Sequence, residues 1–82
     1  MNKETQQSSE DSKIIRELTR LIELDAHTES LTVAKMAKVD LANGLVDSAI
    51  LRLRVDRDKF IYTNSELYEY LDALLTERGF QG

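Results

Sequence analysis

Few residues in this 82-residue chain have the types or spacing that chemistry needs. The candidates are one imidazole, His27, and a serine beside an acid, Asp47-Ser48. A serine nucleophile needs a base within hydrogen-bond reach to take its proton, and nothing in the sequence places His27 near a partner. Metal binding is not expected, because there is no cysteine, a single histidine, and no carboxylate run with calcium-loop spacing. Gly44 stands alone, so no Gly-rich phosphate loop is present. Two carboxylates can share acid and base roles only in a cleft that desolvates one of them, and a few short helices rarely enclose such a cleft. The expectation is therefore a non-enzymatic chain without cofactor or metal, with His27 exposed in a polar connection.

The elements that must position any other function follow from composition. At this length there is room for one domain, and chains this short bury only about 60% of their unfolded surface. Self-association is the available way to bury more. The absence of cysteine excludes disulfide staples, and MNKETQQSSED carries no apolar leader region. No apolar run approaches the roughly 20 residues of a membrane span, so the sequence points to a soluble, cytoplasmic protein. The net charge of −4 is unevenly spread. Residues 1–29 hold 4 basic and 7 acidic side chains, residues 30–62 hold 6 and 4, and residues 63–82 hold 1 and 4. A mildly basic middle lies between acidic flanks.

Proline is absent and glycine occurs three times, which favours helix. Residues 1–8 read as a disordered polar tail and 9–82 as a single domain. Ile14, Ile15, Leu18, Leu21 and Ile22 recur at helical spacing, after Ser8 or Ser9 as a cap and before a stop near Asp25. Lys13 and Glu17 stand four apart and are expected to pair. Val33, Met36, Ala37 and Leu41 form a second stripe capped by Ser30, and Leu45, Val46, Ala49, Ile50 and Leu53 a third. Asn43-Gly44 separates these two, since both residues tolerate the left-handed conformation. Thr63 and Glu66 have capping-box spacing ahead of Leu67, Tyr70, Leu71 and Leu74. Gly79 is suited to end that helix, with Phe80 folding back on Leu75.

Residues 51–62 are ambiguous. Leu51, Leu53 and Val55 alternate with Arg52 and Arg54, and Phe60, Ile61 and Tyr62 favour strands, so a short β-hairpin with its loop at 56–59 fits. Ile50 and Leu53 equally complete the preceding helical stripe, which carries helix to Arg54. The expected fold is mostly α, a compact bundle of three or four short helices with a possible hairpin at residues 51–62.

Two family resemblances bear on function. The stretch GLVDSA, residues 44–49, resembles the Gly-x-Asp-Ser motif of acyl and peptidyl carrier proteins. That resemblance implies a phosphopantetheine arm on Ser48, with Asp47 beside it. Residues 31–53, LTVAKMAKVDLANGLVDSAILRL, resemble a helix-turn-helix, with Val33 and Ala37 in its first helix and Val46, Ile50 and Leu53 in its second. That resemblance implies DNA contact by Asn43, Asp47 and Ser48 at the start of a recognition helix. Lys35, Lys38, Arg52 and Arg54 would face phosphates, and Arg57 and Lys59 would sit on a wing. An acidic chain binds a polyanion poorly unless its charge is segregated.

The reading that demands least is a regulatory helical module that binds protein, either a second copy as a homodimer or another partner. Tyr62, Tyr68, Tyr70 and Leu75 are its candidate interface, because tyrosine is common in interfaces.

Overall fold

The computed structural model describes the backbone of residues 2–80 and the side chains of residues 10–80. Six helices follow one another: α1 Asn2–Glu23, α2 Ala26–Glu29, α3 Thr32–Ala42, α4 Val46–Val55, α5 Arg57–Thr63 and α6 Ser65–Arg78. The mostly helical class holds, and no strand occurs among the described residues. Ser8 and Ser9 lie within α1, so neither caps its start; of the expected tail at residues 1–8, Asn2 onward has helical backbone and Met1 lies outside the described residues.

Two short helices raise the number above the three or four expected. Helix α2 replaces the polar connection because Asp25 caps it: its carboxylate accepts from Thr28 N at 3.1 Å and Thr28 Oγ1 at 2.7 Å. Helices α4 and α5 replace the hairpin. Leu53 is fully buried beside Ile50, so the helical stripe runs to the end of α4. In α5 Phe60 is fully buried, whereas Ile61 is 40% and Tyr62 91% exposed. A strand would have put Phe60 and Tyr62 on one face. The core accepts one anchor from Phe60-Ile61-Tyr62, and a helix delivers only one.

The core joins Ile14, Leu18, Leu21 and Ile22 of α1 to Leu67, Leu71, Leu74 and Leu75 of α6, with α3, α4 and Phe60 closing it. In α3 the buried stripe is Ala34, Ala37 and Leu41 rather than one containing Val33 and Met36. Ala34 and Ala37, with Ala49 of α4, have no exposed surface, and their small side chains let the two helices approach closely. Leu45, expected in the α4 stripe, precedes that helix and is half exposed.

Helix ends follow glycine where the sequence points to it and depart elsewhere. Gly44 and Gly79 adopt φ of +77° and +73°. Leu45 N donates to Asp40 O at 2.8 Å and Phe80 N to Leu75 O at 2.9 Å, the bond that closes a left-handed helix ending. Ser30 does not cap α3; its hydroxyl donates to His27 O at 2.7 Å. Thr63 does not cap α6, because it is the last residue of α5 and its hydroxyl donates to Lys59 O. The cap is Asn64, whose Oδ1 accepts from Leu67 N at 3.2 Å. Its Nδ2 donates to Leu21 O at 2.9 Å and reaches Thr28 Oγ1 at 3.4 Å, so one buried amide ties α1, α2 and α6 together.

Candidate interaction surfaces

Helices α3 and α4 form an antiparallel hairpin, with Asp40 opposite Ser48 and Met36 opposite Arg52. Asp40, nearly buried on α3, accepts from Ser48 Oγ at 2.8 Å and Arg52 Nε at 2.6 Å, both on α4. The Arg52 hydrogen bond, then that of Ser48, holds the Asp40 carboxyl below the usual carboxylate range. One turn further from the connection, Arg52 Nη1 lies 3.8 Å from Met36 Sδ. The outer face of this hairpin carries Met36, Val39, Leu51 and Val55, exposed by 43%, 60%, 41% and 77%.

The cations assigned to phosphates are mostly engaged within the chain. Lys38 pairs with Glu23 and Glu29, each at 2.9 Å, and those two hydrogen bonds raise its pKa. Arg52 is held by Asp40, Arg54 Nη1 donates to Phe80 O, Arg57 lies 3.5 Å from Asp72, and Lys59 lies 3.6 Å from Asp56. Asn43 Nδ2 turns back to Val39 O at 3.0 Å. Only the exposed Lys35 has a side chain without an ion pair or hydrogen bond among the described residues assigned to DNA. Asp47 is drawn to Arg78 of α6 at 2.5 Å. Ser48, on the first turn of α4, is half-buried with its hydroxyl already donated to Asp40.

The proposed aromatic interface divides. Tyr62 stands out on α5, whereas Tyr68 and Tyr70 are partly buried against the core. Two residues apart on one helix, Tyr68 and Tyr70 point roughly 200° apart. Leu75 is fully buried and belongs to the core, which corrects its place in a surface set.

A further surface lies between α1 and α6. An open cleft of about 690 Å³ is lined by Lys13, Arg16, Glu17, Arg20 and Tyr70. It continues along Glu10, Lys13, Tyr70, Ala73 and Glu77. The two helices run antiparallel, since Arg20 feels the charge of Glu66 while Lys13 lines the cleft with Glu77. Glu17 pairs with Arg20 at 2.7 Å rather than with Lys13 as the spacing suggested. Burial, reinforced by Glu17 and Glu77, raises the Tyr70 pKa. In the sequence Lys13, Arg16 and Arg20 recur at helical spacing with Glu10 and Glu17 interleaved, so the segment's net charge does not reveal them.

Among the described residues no group of three or more histidine or acidic side chains could hold a metal, and His27 is exposed. No described helix is long and apolar enough to cross a membrane. A second open cleft, about 540 Å³, runs over Ala26, Ser30, Lys35 and Val39 at the edge of the α3–α4 face. Comparison of the chain with protein-family models, curated proteins and solved structures finds no match.

Proposed function

We propose that this chain is a non-enzymatic, self-associating helical module that regulates a protein partner by docking it on the outer face of the α3–α4 hairpin. The supporting observation is the exposure of Met36, Val39, Leu51 and Val55 on two adjacent helices of so small a domain. A row of apolar side chains flanked by polar ones receives the apolar face of a partner helix, read at i, i+3, i+4 and i+7. Lys35 at the rim, with Asp40 already bonded to Ser48 and Arg52, favours a partner helix with acidic flanks.

The test is a titration of isotopically labelled protein with a synthetic amphipathic helix bearing leucine on one face and glutamate on its flanks. Shifts are expected at Met36, Val39, Leu51 and Val55, and the Val39→Asp/Val55→Asp variant is expected to lose them. A face that stays unperturbed at saturating peptide contradicts the reading.

DNA binding is the second reading, favoured by the retained order of a supporting helix α1, then α3, a glycine turn and α4. It ranks second because its cations are largely spent on internal partners. The carrier reading ranks third, since Ser48 is held by Asp40 rather than presented.

A further inference from the structure

We infer that a second copy of the chain seats on the α1–α6 groove, with α1 of each copy lying over α6 of the other. This inference rests on the self-association in the function proposed above and adds the surface and symmetry that achieve it.

The argument begins with the two edges of the groove. The α1 side carries the exposed Lys13, Arg16 and Arg20 at i, i+3 and i+7 with Glu10 and Glu17 among them, a net of one positive charge. The outer edge of α6 carries Glu66, Glu69 and Glu77, also exposed. Between them the floor is Tyr70 and Ala73, and the small Ala73 leaves room for another helix pair to approach.

Closed dimers are two-fold and isologous, which leaves two ways to stack such a face on itself. With the axis across the helices, α1 meets α1 and α6 meets α6, so Glu66, Glu69 and Glu77 of each copy face those of the other. With the axis along the groove, each α1 meets the other copy's α6. A two-fold along the groove keeps every residue at its own level, and Arg20 is level with Glu66 within one chain. Arg20 then comes over Glu66, and Lys13 comes over the Glu69–Glu77 stretch. Like charges in contact disfavour the first arrangement and opposite charges favour the second. The Tyr70 ring supplies the apolar, low-entropy contact at the centre, while the charges set register and symmetry.

Two variants test this by exchange. Lys13→Glu/Arg16→Glu makes both edges acidic, and Glu69→Lys/Glu77→Lys makes both edges basic. Neither Lys13 nor Arg16 is part of an internal ion pair among the described residues, and circular dichroism checks that both variants keep wild-type helicity. Each variant alone is expected to self-associate at least about tenfold more weakly than wild type by sedimentation. An equimolar mixture is expected to recover a dimer holding one copy of each, counted by native mass spectrometry. A wild-type chain that stays monomeric overturns this inference together with the self-association it rests on. If either variant alone associates like wild type, or the mixture fails to pair, the groove is not the contact. Should association then be lost instead in Val39→Asp/Val55→Asp, self-association survives and belongs to the α3–α4 face.

Discussion

Arg52 Nε donates to Asp40 Oδ2 at 2.6 Å across the α3–α4 hairpin, and Ser48 Oγ donates to the same oxygen at 2.8 Å. This relationship takes two residues that sequence resemblance assigns to nucleic acid or to a prosthetic arm and uses them to hold two helices together. Because the folded Asp40 has a lowered pKa, its contribution to stability is fully present above the unfolded value of about 3.9. It is lost as pH falls through the folded value. Asp40→Asn removes that contribution, so the variant is less stable than wild type at pH 7 and the two converge in strong acid. Urea unfolding at neutral pH and near pH 2.5 measures the convergence. A difference that does not shrink in acid contradicts the assignment.

Asn64 is the cap of α6 and the link to α1. Asn64→Ala leaves the Leu67 N–H without its cap and the Leu21 carbonyl without its donor, and destabilises by about 1–3 kcal/mol. Thr63→Ala changes stability by no more than about 0.5 kcal/mol, because its hydroxyl only bonds back within α5. Equal losses in the two unfolding curves would return the cap to Thr63.

Residues 57–63 offer a sharp contrast. Phe60→Ala removes a fully buried ring and lowers stability by about 3–5 kcal/mol, while Tyr62→Ala stays within about 0.5 kcal/mol. Comparable losses would mean that both rings share a face, as a strand requires.

These contrasts show what the sequence made legible. The apolar spacing in α1 and α6 and the glycines at 44 and 79 specified two long elements and two endings, because burial and positive φ are local demands. Residues 51–62 were not legible, since Leu53 satisfies a period of two and a helical period alike, and only the room left for Phe60 decides between them. The α3 stripe misled for a related reason. Hydrophobicity favours Val33 and Met36 over Ala34, but close helix approach needs the smaller side chain inside. The candidate sites were legible by residue type and not by availability. Lysines and arginines at 38, 52, 54 and 57 look free in a sequence, and their partners lie far along the chain or on another helix.

DNA affinity follows from that accounting. With so few cations available, random duplex DNA at about 50 mM salt is expected to bind weakly if at all. Arg52→Glu/Arg54→Glu is then expected to leave the titration unchanged. Tight binding that weakens steeply toward about 200 mM salt, and is lost in this variant, would promote the DNA reading over the protein one.

The account depends above all on a small helical chain working through contact with other macromolecules, beginning with its own copies. Sedimentation equilibrium over a range of micromolar concentrations measures this directly. The mass is expected to rise from the 9.4 kDa of one chain toward twice that value as concentration increases. A mass that stays at one chain throughout the range contradicts it.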